Sequence, residues 1–262
     1  MIQGHARHPL TYFEAGQHNR PTVVLLHGGF LLHSTWHPQL GPFSQRWHVL
    51  APDLIYSSLN QLTVENLAAD TAALIRSKAD QPVWLVGLSL GAVVATRIAI
   101  DHPQLVGGLV LSGGRVKASF ADKIATSLVR FTPEKSLLNS FLEPTLDIYP
   151  ALDGIAQPEM ERVGKAGFIQ GLRAIESVDF TDALPTIHVP TLVLVGADDR
   201  PHFLHESKRL SEGIPNAELH VIPDVGHGWN LEAPEQFNEI VTTFIDHHSS
   251  DHHQADDYQA TE

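Results

Sequence analysis

The residues of this sequence best suited to covalent chemistry are Ser89, His227 and the adjacent pair Asp198 and Asp199. Ser89 is the centre of the run GLSLG, residues 87–91, which follows the apolar stretch PVWLV at 82–86 and precedes a helix-like stretch at 90–102. A serine at a strand-to-helix corner is held in a sharp turn with its Oγ projected from the backbone, and glycines two positions either side let neighbouring chain pass closely. The N-terminus of the following helix brings unpaired N–H groups to the same place, where they favour developing negative charge. A serine hydroxyl is a weak nucleophile, so acyl transfer also needs a base, an acid that orients the base, and donors for an oxyanion. His227, in VGHG, follows the last strand-like stretch, and Asp198 and Asp199 follow the one before it. Either aspartate satisfies the role of orienting acid.

These residues must be carried on a framework, and the hydrophobic pattern supplies one. The runs TVVLL (22–26), WHVLA (47–51), PVWLV (82–86), GGLVL (107–111), TLVLV (191–195) and ELHVI (218–222) read as strands, and LTYFEA (10–15) as an early one. Continuous apolar runs suit strands covered on both faces. Helices are expected at 35–45, 64–79, 90–102, 201–212 and 234–246; in the second, apolar residues at 64, 67, 68, 72 and 75 follow a helical period. This alternation predicts an α/β fold with a mostly parallel, doubly wound sheet. Between 115 and 184 no buried strand is expected, and amphipathic stretches at 120–131, 133–148 and 158–175 predict a helical insertion. Such an insertion lands at the sheet end where sites form, as a lid over Ser89. The expected division is a core of residues 1–113 and 186–247, a helical cap at 114–185, and a polar, unordered tail at 248–262.

Composition narrows the function classes. The chain has 262 residues and a formal charge of −13, which disfavours nucleic acid and anionic membranes as partners. It has no cysteine, which excludes disulfides, thiolate catalysis and cysteine-ligated zinc, and fits a cytoplasmic setting. No apolar run approaches the roughly 20 residues of a membrane span, and the first residues lack the apolar region of a signal peptide. The expected partner is a small-molecule substrate; nothing in the sequence specifies an oligomeric state.

Beyond single motifs, HGGF at 27–30, APDL at 51–54, GLSLG at 87–91, VPTLVLVGADDRP at 189–201 and VGHGWNLEAPEQF at 225–237 occur in one order. With these the sequence resembles the α/β-hydrolase superfamily, in its branch of small capped serine esterases, over residues 20–247. The resemblance implies the α/β-hydrolase fold, with Ser89 as nucleophile, His227 as general base and then acid, and Asp199 as the orienting acid, Asp198 being second. It implies an oxyanion site formed by the N–H of Leu90 and that of Gly29 or Phe30. The implied activity is hydrolysis of a small to medium carboxylic ester, with no metal or other cofactor. Carbon–carbon bond hydrolysis, thioester hydrolysis and lactone opening use the same triad, and a non-catalytic receptor on this scaffold is a further alternative. The sequence departs from the family at 55–65, IYSSLNQLTVE, where relatives carry a glycine-rich turn.

Other polar and aromatic residues have plainer readings. His27 is expected to be structural, Asp53 to fix its own turn, and Trp36 and Trp229 to pack. Paired histidines in the tail are expected to be solvated. Phe141, Leu142, Ile148 and Phe168 suit either an apolar acyl pocket or the interior of the cap.

Overall fold

The computed structural model describes residues 10–29, 31–54 and 62–259. Among them the strand-like runs form strands β1 (Tyr12–Ala15), β2 (Thr22–Leu26), β3 (His48–Pro52), β4 (Val83–Leu88), β5 (Val106–Ser112), β6 (Thr191–Gly196) and β7 (Ala217–Ile222). They make one sheet in the order β1-β3-β2-β4-β5-β6-β7, with β1 antiparallel to β3 and the other pairings parallel. The period of two along a strand explains why the central runs are apolar throughout. Val83 and Leu85 face one apolar cluster, whereas Trp84, Val86 and Leu88 face another.

Helices cover both faces. Helices α2 (Val64–Lys78), α3 (Leu90–Asp101) and α7 (Pro201–Gly213) bury apolar side chains in the first cluster. Helices α1 (His37–Arg46) and α9 (Pro234–Gln259) do so in the second, with the short α8 (Trp229–Glu232) beside them. Local chemistry sets the boundaries: Thr63 Oγ1 accepts the Asn66 N–H at 3.1 Å to cap α2, and Pro201 opens α7. No helix among the described residues is long and apolar enough to cross a membrane.

Between β5 and β6 the chain forms helices α4 (Phe120–Val129), α5 (Glu134–Ile148) and α6 (Ala156–Glu176). Helix α6 is kinked at Gly164, where Glu134 Oε1 accepts the Lys165 N–H at 2.9 Å. The chain entering this segment and the chain leaving it meet at an isolated antiparallel bridge between Lys117 and Asp179. Glu206 of α7 accepts the N–H groups of Val116 and Lys117, both at 2.9 Å, and so ties the entering chain to the core.

The closing helix differs from the sequence expectation. Its apolar period ends near residue 246, yet α9 runs to Gln259, through the segment expected to be unordered. Phe244 and Ile245 are buried, and His248 packs its ring 4.4 Å from Phe244 while its Nδ1–H donates to the Phe244 carbonyl at 3.0 Å. Once packed turns have nucleated a helix, each further turn costs little, and polar residues extend it.

Candidate active site

Ser89 joins β4 to α3 with φ 54° and ψ −112°. A non-glycine residue in this region is strained, and it persists only where surrounding structure holds it. Here the Ser89 N–H donates to the Ser112 carbonyl at 2.8 Å, and the Ser89 carbonyl accepts the Val93 N–H at 3.2 Å. The flanking glycines are required by close approach. A Cβ on Gly91 would lie 1.9 Å from the Leu26 carbonyl oxygen, and one on Gly87 would lie 2.5 Å from that of Gly91.

Two strand ends further on, Asp199 Oδ2 accepts a hydrogen bond from His227 Nδ1 at 2.7 Å. The Asp199 side chain is 3% exposed, and its other oxygen accepts the Arg200 N–H at 2.7 Å. Asp198 is exposed and its backbone N–H bonds the Val225 carbonyl at 3.0 Å, so Asp199 is the aspartate that holds the imidazole. With Nδ1–H given to a carboxylate, Nε2 is the ring's proton acceptor. Phe203 stacks on the imidazole with ring centres 4.1 Å apart. Gly113, at φ +58°, packs beneath its Cε1 edge, where a Cβ would approach to 2.8 Å. Glu232 Oε2 accepts the Gly226 N–H at 2.8 Å and steadies the loop just before His227.

Ser89, Asp199 and His227 line one cavity of about 430 Å³, together with Gly28, Gly29 and Leu90. Among the described contacts, Ser89 makes no hydrogen bond to His227; in ligand-free sites this bond is often long and tightens when substrate binds. Leu90 is the first residue of α3. Gly28 lies beside the serine, since a Cβ there would sit 3.5 Å from Ser89 Cβ, whereas a Cβ on Gly29 would sit 3.6 Å from the ring of Phe168. Phe30 and residues 55–61 of the glycine-free stretch lie outside the described residues.

Of the residues of α5 and α6, Phe141, Ile148 and Phe168 line the cavity, while Leu142 packs against the apolar cluster of Leu137, Leu152, Ala156 and Met160. Trp36 and Trp229 are buried packing residues, as expected; each ring lies within 6 Å of Phe237. His27 is buried and pins the loop after β2: its Nε2 accepts the Leu54 N–H at 2.8 Å and its Nδ1–H donates to the Gly28 carbonyl at 2.6 Å. Burial pulls its pKa down to about 4, which keeps it neutral. Asp53 departs from its expected local role. Its Oδ1 accepts from the His33 N–H and from His33 Nδ1, at 3.0 and 2.9 Å, across twenty residues of chain. Burial opposes its charge, but these bonds outweigh that and hold its pKa below the ordinary value. Among the described residues no cluster of three or more His, Cys, Asp or Glu side chains is placed to hold a metal ion.

Gly28 and Glu232 lie inside the HGGF and VGHGWNLEAPEQF runs without being singled out there, and Phe203 and Gly113 carry no sequence signal of their own. Gly113 only shares its place after a strand with other glycines, and Phe203 lies in a helical pattern indistinguishable from a packing face.

A family model described as "Alpha/beta hydrolase family" matches residues 23–240. The chain belongs to this family. Among its hydrolase relatives is a 2-hydroxy-6-oxononadienedioate/2-hydroxy-6-oxononatrienedioate hydrolase of a Pseudomonas species, 30% identical over 175 residues. That match covers 62% of this chain and 62% of the relative. A pyrrolizixenacetamide deacetylase of Xenorhabdus hominickii is 29% identical over 249 residues, 86% of this chain and 91% of that protein. In structure, this α/β hydrolase is similar to a thermophilic esterase from Thermogutta terrifontis, with a TM-score of 0.78 and 25% identity over 91% of this chain and 93% of the other.

Proposed function

We propose that this α/β hydrolase is a serine hydrolase that cleaves small to medium carboxylic esters through an acyl-enzyme on Ser89. The observation that carries the reading is the 2.7 Å hydrogen bond that His227 Nδ1–H donates to Asp199, in the cavity that also holds Ser89 in its strained turn. In the first step Ser89 Oγ attacks the ester carbonyl and His227 Nε2 takes its proton. Asp199 stabilises the resulting imidazolium, and the N–H groups of Leu90 and Gly29 receive the oxyanion. Collapse of the tetrahedral intermediate breaks the carbonyl–alkoxy bond, and the leaving alcohol takes the proton from His227. Water, deprotonated by the same imidazole, then attacks the acyl-enzyme and restores Ser89.

The lining supports an uncharged acyl group. Phe141, Ile148, Phe168, Leu172 and Ile175 present apolar surface. Of the other charged lining residues, Arg200 is solvent-exposed and Glu232 is engaged with the Gly226 N–H.

A second reading is hydrolysis of a carbon–carbon bond, and the name of the Pseudomonas relative favours it. A panel of p-nitrophenyl esters of increasing acyl length, run beside a vinylogous diketone, a thioester and a lactone, separates these substrates. Ester turnover that disappears in Ser89→Ala supports the first reading. Turnover of the diketone alone moves the assignment to the second. Ligand binding without turnover in the wild type would show a receptor instead.

A further inference from the structure

The loop that follows β2 is held at two places by different parts of the molecule. At its start, His27 fixes Gly28 to the core through Leu54. Further on, a side chain of the cap takes over. Glu159, in the first turn of α6, accepts the Leu32 N–H at 3.0 Å with Oε2, and the Ser34 hydroxyl donates to the same oxygen. His33, between them, is bound to Asp53 of the core, and Arg162 of α6 brings its guanidinium to 3.9 Å from the second oxygen of Asp53. Leu31 is buried among Leu137, Leu152, Ala156 and Met160, which all belong to the cap segment. Gly28 and Gly29, on the cavity wall, lie between the core clamp and the cap clamp.

We propose that Glu159 is a positioning residue through which the cap sets the oxyanion loop. This rests on the serine-hydrolase reading above. A carboxylate that takes two donors from one short segment fixes that segment's distance and rotation relative to its own helix. An oxyanion donor acts only if it lies at hydrogen-bond distance from the developing charge, so small displacements of the loop reduce its effect on the transition state. Glu159 holds Leu32 and Ser34 to α6, so the cap shares with His27 and Asp53 of the core in fixing the loop that carries Gly28 and Gly29. Without Glu159 only the core's hold is left, and the position of the donors is less sharply set. Glu206 ties the chain at Val116 and Lys117, where it enters this segment, and does not touch the loop.

The test compares wild type, Glu159→Ala, Glu159→Gln, Ser34→Ala and Ser89→Ala on a p-nitrophenyl ester that the wild type turns over. Inhibition by an alkyl trifluoromethyl ketone is measured alongside, because its hemiketal oxyanion occupies the same donors. Glu159→Ala is expected to lower kcat by about tenfold or more, with KM changed less than about threefold, and to weaken the ketone by the same factor as kcat/KM. Glu159→Gln retains an acceptor for Leu32 and is expected to recover most of that loss, and Ser34→Ala to lose about two- to threefold. A Glu159→Ala enzyme with unchanged kcat, or with KM alone raised, overturns the proposal and leaves Glu159 as a cap anchor only. Should Glu159→Ala not fold, Ser34→Ala decides: ketone affinity and kcat unchanged from wild type in that variant overturn it. Hydrolysis that persists in Ser89→Ala removes the serine-hydrolase reading itself, an outcome distinct from the others.

Discussion

The ring of Phe203 lies 4.1 Å from the imidazole of His227, centre to centre, with 31° between the two planes. Asp199 fixes one edge of that imidazole, and Phe203 limits its tilt. Replacing Phe203 by alanine leaves the Asp199 bond in place but frees the ring to rotate. A loss of about five- to tenfold in kcat is expected, because a base held off its productive angle transfers the proton less often. Steady-state kinetics beside thermal unfolding checks this; a Tm change without a kcat change would assign Phe203 to packing.

The two neighbouring aspartates are expected to separate cleanly. Asp199→Asn removes the carboxylate that fixes the His227 tautomer and should lower kcat by about 10³-fold or more. Asp198→Asn alters an exposed side chain and should change kcat by less than about twofold. Equal losses in the two variants would contradict the assignment of the acid.

Much of this was legible in the sequence because the framework has strong periodic signals. TVVLL and TLVLV became β2 and β6, buried throughout, as runs of β-branched and leucine residues between helical stretches imply. Ser89 and His227 stand out in the sequence because each follows a strand, and the sheet brings strand ends together; position alone leaves Asp198 and Asp199 open, and only the family resemblance prefers Asp199. The cap clamp was not legible. Glu159 is one acidic residue in a charged helical stretch, and its partners are two backbone and hydroxyl groups more than a hundred residues earlier. Asp53 was misjudged for the same reason, since its partner His33 comes from another strand's loop. Nor does the polar composition of 248–259 signal the helical backbone that α9 has there.

Gly91 gives a stability test of the elbow. An added Cβ would meet the Leu26 carbonyl oxygen at 1.9 Å, and backbone cannot step aside as a flexible side chain can. Gly91→Ala is expected to destabilise the fold by about 4 kcal/mol or more, the range of severe core disruption. For a chain of this size that lowers Tm by roughly 10 °C. Thermal unfolding followed by circular dichroism measures it.

Stability should also depend on pH through three buried or half-buried groups. The folded His27 pKa of about 4 lies below its ordinary 6.5, so the unfolded chain binds the extra proton in that window. Its contribution is full above pH 6.5 and is lost as pH falls towards 4, to a total of about 3 kcal/mol. Asp53, also depressed, adds to the loss at lower pH still. His33 works the other way: its bond to Asp53 raises its pKa, so its contribution is present below 6.5 and fades as pH rises through the raised value. Tm measured from pH 4 to pH 9 should therefore fall steeply on the acid side, and in His33→Gln the alkaline decline should be reduced. A wild-type Tm that is flat between pH 6.5 and 4 would contradict the neutral, buried state of His27.

The central claim is that Ser89 carries an acyl group during turnover. Rapid mixing of the enzyme with p-nitrophenyl butyrate, followed by quenching and mass spectrometry of the digested protein, tests it directly. The expected result is a butyryl adduct confined to the peptide containing Ser89, formed as fast as p-nitrophenol is released and absent from Ser89→Ala. Hydrolysis at the wild-type rate by Ser89→Ala, or turnover with no adduct on that peptide at any time, would contradict it.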